Sequence, residues 1–252
     1  MSSTITGPMF KWFGSKWQAS KHYPQPEFPT IHEPFAGGAA YSLRHYDKQV
    51  VIAEKNEQLA DLWRWLIQAT TQDILDIPLD MPVGSDIRNL GLSYGQALLV
   101  KHWQRTNNVG NCWLVSPWSG KPGQWGLTAR SRTAEQVHAI RHWKVLDDGE
   151  SLLASGGEAT WFIDPIYQYN YDYRMARHDY VQLAEKILAV QGQIIACEAA
   201  CQKTGAVPNY LPFEPFRRTI TSRRKAGCNN YSTELVYCRS GVPIPRIEVP
   251  FE

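Results

Sequence analysis

The stretch Thr160-Trp161-Phe162-Ile163-Asp164-Pro165-Ile166-Tyr167 constrains the chain more than any other. An apolar run stops at a carboxylate, a proline and an aromatic ring. Trp161, Phe162 and Ile163 read as a short buried strand. Asp164 and Pro165 end it, because proline has no N–H to offer a central ladder. In an open α/β sheet the crevice beyond the strand ends is where ligands bind. The stretch therefore offers an acidic acceptor, a backbone carbonyl fixed by a proline ring, and a flat phenol. Such groups suit a planar, amine-bearing ring. A strand followed by a plain turn has the same pattern, so the rest of the chain must decide.

Upstream, Phe10-Lys11-Trp12-Phe13-Gly14-Ser15-Lys16-Trp17 packs aromatics, a glycine and two lysines into eight residues. It suits a loop against a flat polar ligand, or a basic N-terminal arm. Three prolines then mark a connector over residues 23–29. Thr30-Ile31-His32-Glu33-Pro34-Phe35 reads as a strand end, and Ala36-Gly37-Gly38-Ala39-Ala40 opens a helix to Tyr46. Glycines at such a turn let a ligand approach backbone N–H groups. Val50 to Ala53 forms a second buried strand with Glu54 at its tip, about twenty residues beyond the glycine turn, a placement that suits a ribose hydroxyl pair. Asn56 can cap the helix that follows, whose Leu59, Leu62, Trp63, Leu66 and Ile67 fall at helical spacing.

From residue 70 the pattern weakens around Pro78 and Pro82 and the composition shifts. A helix over residues 94–105 precedes a stretch over 107–126 rich in Asn, Gly, Ser and Trp. A capping box at Thr133 and Gln136 opens a further helix to Trp143. Residues 70–155 read as an insert, either a basic, aromatic surface for nucleic acid or a loop-rich structural element. Lys121, Trp125, Arg130 and Arg132 are its candidate DNA contacts. His138 and His142 are four residues apart but lack the further ligands a metal needs, so no metal site is expected. After a Ser155-Gly156-Gly157 linker comes the opening strand, a tyrosine-bearing loop over 168–173, an amphipathic helix over 178–191 and a strand over 193–197. The order β-α-β-α, insert, β-α-β means an α/β sheet with helices on both faces. Arg217, Arg218, Arg223 and Arg224 lie in a cationic run that reads as a solvated loop or a phosphate clamp. Residues 231–239 and 242–251 look like a closing hairpin turned at Ser240-Gly241.

Bulk composition excludes several classes. With 252 residues the chain suits one large domain or one with an insert. No apolar run approaches the roughly 18 residues that span a bilayer, and no secretory signal precedes the first strand. Five scattered cysteines form no paired CxxC motifs, which predicts reduced thiols and a cytoplasmic setting. Net charge is only +2, so a nucleic-acid partner would have to be read from local cation clusters.

Four pieces in order resemble one family, the DNA adenine methyltransferases of bacteria and their phages. Lys11-Trp12-Phe13-Gly14-Ser15-Lys16 resembles the family's N-terminal motif, which borders the S-adenosylmethionine pocket. Glu33-Pro34-Phe35-Ala36-Gly37-Gly38-Ala39 resembles its glycine motif, Glu54 matches the ribose-binding acid, and Asp164-Pro165-Ile166-Tyr167 resembles the catalytic tetrapeptide, usually Asp-Pro-Pro-Tyr. Ser15 replaces a frequent glycine, Ala39 stands where many members have a further glycine, and Ile166 replaces the second proline.

The resemblance implies a Rossmann-like methyltransferase sheet, with residues 1–69 and 156–252 as the catalytic domain and 70–155 as an inserted target-recognition subdomain. It implies S-adenosylmethionine as cofactor, held by Phe10, Lys11, Trp12, Gly14, Lys16, Glu33, Pro34, Phe35, Ala36, Gly37, Gly38, Ala39, Glu54 and Asp164. The partner expected is double-stranded DNA, met by a monomer in a bacterial cell or phage-infected host. Asp164 and the Pro165 carbonyl would hold the amine of a flipped adenine while Tyr167 stacks on the ring. A cytosine amine presents the same groups, and Ile166 leaves open a catalytically silent, DNA-binding relative.

Overall fold

A computed structural model of the chain describes residues 4–104, 112–168, 179–201, 204–211, 215–225 and 228–241, with backbone alone for 155, 215–225 and 228–233. In chain order the elements are β1 (Thr30–Glu33), α1 (Ala40–Arg44), β2 (Gln49–Ala53), α2 (Glu57–Leu66), α3 (Thr71–Leu75), α4 (Tyr94–Gln104), α5 (Leu127–Gln136), β3 (Lys144–Leu146), α6 (Gly149–Ser155), β4 (Ala159–Ile163), α7 (Tyr180–Ala189), β5 (Gly192–Ala199), β6 (Pro215–Lys225) and β7 (Cys228–Arg239). The strands form one sheet in the order β3-β2-β1-β4-β5-β7-β6. β1 to β5 run parallel, while β7 is antiparallel to both β5 and β6. The parallel part has the doubly wound order, whose direction reverses between β1 and β4.

Alternation along the strands explains cover on both faces. Phe162, Ile195 and Cys197 point into one core with Ile31, Ile52 and Leu62. Their neighbours Trp161, Ile163, Ile194 and Ala196 point into the other, beneath Leu183 and Ile187 of α7. Helix α2 forms as its spacing predicts: Asn56 accepts from Leu59 N at 3.2 Å, and Leu59, Leu62, Trp63 and Leu66 are all buried. Where the pattern weakened, Thr70 and Asp73 close a capping box and start the short α3.

Several expectations are corrected. β3 and α6 lie within residues 70–155, yet β3 pairs with β2, and α6 packs on α7 and β2. Residues such as Ile74, Leu98, Trp125 and Ile140 share one core with the sheet strands. Thr133 does not cap a helix. It sits inside α5 and its hydroxyl bonds the carbonyls of Ala129 at 2.9 Å and Met9 at 3.2 Å. The cationic run is a strand: β6 pairs with β7 from Pro215↔Tyr237 onward, so the hairpin joins 215–225 to 228–239. The proposed partner strand over 242–251, and residues 169–173 of the tyrosine loop, lie outside the described residues. No helix among the described residues is long and apolar enough to cross a membrane.

Gly192 begins β5 with φ +100°, and a Cβ there would lie 2.2 Å from the Ala159 carbonyl oxygen. Gly192→Ala is therefore expected to lower the unfolding free energy by about 1–3 kcal/mol, read as an earlier urea midpoint with unchanged slope.

Candidate active site

The sheet brings the glycine turn and the Asp164 tetrapeptide to its switch point. His32 sits beside Trp161 in the β1–β4 ladder, so Glu33-Pro34 and Asp164-Pro165 leave the sheet at the same edge. Glu54, at the tip of β2, completes the row. Its carboxylate accepts from Gly37 N and Asn56 N, both at 2.8 Å, which ties the glycine turn to the β2 edge and to the start of α2. Burial raises the Glu54 pKa, while the backbone donors oppose that shift.

Gly37 has φ +48°, and a Cβ there would lie 2.7 Å from Trp12 Nε1. Glycine is needed both for the left-handed backbone and for the approach of Trp12. On the other side the Trp63 indole donates to the Gly37 carbonyl at 2.9 Å. Ala39 also takes a left-handed conformation, φ 44°, so Gly-Gly-Ala does make the turn although its last residue carries a Cβ. Phe10 lies one step inward: it is buried edge-on against Trp63, and so belongs to the wall behind the turn.

Lys16 crosses 148 residues of sequence to donate to Asp164 Oδ2 at 2.8 Å. It also donates to the Gly14 carbonyl at 3.0 Å and lies 5.0 Å from the centre of the Tyr167 ring. Burial opposes the Lys16 charge, but Asp164, with Glu234 and Cys197, outweighs it and raises the pKa above the ordinary lysine value. Burial, reinforced by Asp164 and Glu234, pushes the Tyr167 phenol far above its ordinary range, so it stays neutral.

The arrangement leaves polar atoms unused. Among the described residues, Asp164 Oδ1, Tyr167 Oη, Gln168 Oε1 and Ser15 Oγ are buried without a hydrogen-bond partner. Each is expensive to leave unmade, and four such atoms at one edge are groups that a polar ligand could satisfy. Again among the described residues, no group of three or more His, Cys, Asp or Glu could hold a metal ion.

Glu33 plays a different part. It is buried at the end of β1 and accepts from Ser42 N at 3.3 Å and from the Ser42 hydroxyl. Burial raises its pKa from 4.5 to about 8, against the pull of those bonds. Between these values the folded chain holds a proton that the unfolded chain has released, so stability falls as pH rises from about 4.5 to about 8. Glu33→Gln removes that term. Its melting temperature relative to the parent is expected to rise steadily from pH 5 to pH 8; a constant difference would show that Glu33 does not titrate in this window.

Of the candidate DNA contacts, Lys121 is exposed, next to the 65% exposed Trp118. Trp125 is fully buried and its indole donates to the Pro78 carbonyl at 3.0 Å. It is a core residue, which corrects its assignment to the DNA side. Arg130 is engaged at the end of α3, donating to the carbonyls of Leu75 at 3.1 Å and Ile77 at 3.0 Å. Arg132 stacks 4.9 Å from the centre of the Trp103 ring, and burial lowers its pKa. Arg217, Arg218, Arg223 and Arg224 are on β6, where only the backbone is described.

Three residues at this edge escaped the sequence reading. Glu198, near the end of β5, is fully buried and accepts from Gln168 N at 3.2 and 3.3 Å and from the Tyr210 hydroxyl at 2.8 Å. Tyr180 donates to the Ile166 carbonyl at 2.8 Å. An acid closing the apolar run 193–197 was the available signal for Glu198, and it parallels Glu54 after β2. Nothing local marks Tyr180 or Tyr210. A scan against protein-family models and a search of curated proteins each returned no match.

Proposed function

We propose that the chain is an S-adenosylmethionine-dependent methyltransferase that modifies the exocyclic amine of an adenine flipped out of double-stranded DNA. One observation carries the reading. The glycine turn, the Glu54 carboxylate and the Asp164-Pro165-Ile166-Tyr167 stretch converge on the sheet's switch point, and Asp164 keeps one carboxylate oxygen without a partner among the described residues.

That oxygen is what the chemistry needs. An adenine amine is a weak nucleophile because its lone pair delocalises into the ring. Two acceptors that bond its N–H groups favour a tetrahedral nitrogen with the pair localised. Asp164 Oδ1 is one, and the Pro165 carbonyl is the other. Lys16 holds Oδ2, which fixes the carboxylate and leaves Oδ1 for the substrate. Both contacts strengthen as the nitrogen becomes positive, so they stabilise the transition state more than the ground state.

S-adenosylmethionine would supply an electrophilic methyl group on a sulfonium. The residues fit it on two observations. At Gly37 and Gly38 the turn is bare backbone, and Trp12 and Ser15 pack directly on it, so both side chains line the glycine turn where the cofactor would lie. Ser15 Oγ is buried beside Gly38 with no partner among the described residues. Glu54, largely buried at the β2 tip, has lone pairs beyond those its backbone donors use, enough for ribose hydroxyls. Trp12 and Phe35 would border the rings.

Incubation with S-adenosylmethionine and duplex DNA of varied sequence, followed by mass spectrometry of the nucleosides, tests the proposal. N6-methyladenine is the expected product. Methylated cytosine would keep the mechanism and change the base. Duplex binding with no methylated nucleoside would favour the silent relative that Ile166 allows.

A further inference from the structure

We propose that Tyr180 and Glu198 are positioning residues that pin the turn after Asp164 from both sides, replacing by hydrogen bonds the rigidity that a second proline would give at Ile166. The inference rests on the methyltransferase reading of this turn.

Isoleucine is stiff at its side chain but, unlike proline, does not lock its own φ. The peptide following Pro165 is therefore free to swing unless something outside the turn holds it, and that peptide carries the Pro165 carbonyl. Tyr180, in the first turn of α7, donates its hydroxyl to the Ile166 carbonyl at 2.8 Å. Two residues on, Gln168 N–H meets both oxygens of Glu198 at 3.2 and 3.3 Å. Tyr167 lies between the two pinned peptides, so its ring direction is set along with the Pro165 carbonyl.

The two pins are themselves braced. Asp179 caps α7 by accepting from Val181 N at 3.0 Å and Gln182 N at 3.2 Å, which fixes Tyr180. Tyr210 donates to Glu198 Oε1 at 2.8 Å, and its ring lies 5.3 Å from that of Tyr180. Strand pairing does not ask for a carboxyl here: β5 and β7 pair through the backbone, with Glu198 opposite Leu235. A fully buried acid is costly to keep, and Glu198 is fully buried. Its donors come from the turn, from Tyr210 and from Ala199 N at 3.2 Å, so what it adds over an apolar residue is a hold on the turn. Glu198 is fully buried and Tyr180 is held on the Ile166 carbonyl, so both act through Pro165 and Tyr167.

The test uses the full chain with Glu198→Ala, Glu198→Gln and Tyr180→Phe. Two quantities are read: methyl transfer to duplex DNA, and amide hydrogen exchange in a peptide spanning residues 164–168. Glu198→Ala is expected to lower kcat about 10²-fold, the cost of roughly 1 Å of misplacement, with KM for S-adenosylmethionine little changed. Exchange should rise about 2–10-fold, which is one hydrogen bond's net worth. Tyr180→Phe should show the same pattern more weakly, and Glu198→Gln, which keeps one acceptor oxygen, should recover most of both. Unchanged exchange and kcat in Glu198→Ala and Tyr180→Phe overturn the proposal. So does a loss that Gln fails to rescue and that KM shares, which would mark a merely structural role. If Glu198→Ala does not fold, Tyr180→Phe alone decides by the same two readings. If the parent chain transfers no methyl group, the methyltransferase reading falls, while the exchange measurement still supports or overturns the pinning of the turn.

Discussion

Asp164→Ala is expected to reduce methyl transfer by about 10²–10³-fold or more, the range seen when one preorganised electrostatic partner of a developing charge is removed. On the proposed reading the variant loses the acceptor for the amine, and it also strands Lys16. That ammonium is 13% exposed and has Asp164 as its ion-pair partner at 2.8 Å. Removing one member of a buried pair costs about 3–5 kcal/mol, so a fall in melting temperature should accompany the loss of activity. Asp164→Asn separates the two effects. It keeps the shape and one acceptor oxygen but not the charge, so it should fold better than the alanine variant and still transfer slowly. S-adenosylmethionine binding, measured by calorimetry, should survive in Asp164→Asn. Methyl transfer near the parent rate in Asp164→Ala would remove this residue from the mechanism.

Gly37→Ala is the second large effect. A left-handed backbone costs an L residue about 1–2 kcal/mol, and Gly37 sits at φ +48°. The added Cβ would also lie 2.7 Å from Trp12 Nε1 and 2.9 Å from Trp12 Cδ1, so Trp12 must leave the turn. Overpacking of that kind adds about 1–3 kcal/mol. Together these predict S-adenosylmethionine affinity lower by about 10²-fold, since each 1.4 kcal/mol is about tenfold. A Trp12→Ala partner change relieves the clash but not the backbone strain. In a double-mutant cycle the two substitutions should therefore be less harmful together than their sum. Additive losses would show that Trp12 and Gly37 do not meet in the folded protein in solution.

The insert shows how a reading of local pattern can go astray. Trp125 and the arginines Arg130 and Arg132 were attractive DNA contacts because aromatics and cations cluster in residues 113–132. In the folded chain Trp125 is core, Arg130 satisfies carbonyls at the end of α3, and Arg132 stacks on Trp103. Charge and ring content state what a side chain can do; only its neighbours state what it is doing. Lys121 and Trp118 remain on the surface, in a loop whose Gly120 and Gly123 are both at positive φ.

Much of the architecture is written locally. Apolar runs ending in Glu33, Glu54 and Asp164 define β1, β2 and β4; helical spacing defines α2; and the Gly37-Gly38 pair marks a turn that no bulkier sequence could make. These features depend on a few adjacent residues, so the sequence by itself determined β1, β2, β4 and β5 of the parallel half and the edge at which Glu33, Glu54 and Asp164 gather. The tertiary structure alone decided four matters: that β3 pairs with β2, that β6 pairs with β7 beyond β5, that Ile74, Leu98, Trp125 and Ile140 share the sheet's core, and that Lys16, Tyr180 and Glu198 meet the turn after Asp164. Each of these rests on contacts between residues far apart in the chain, 148 apart for Lys16 and Asp164. No local period or spacing encodes such a meeting, because it follows from which elements the collapsed chain lays side by side.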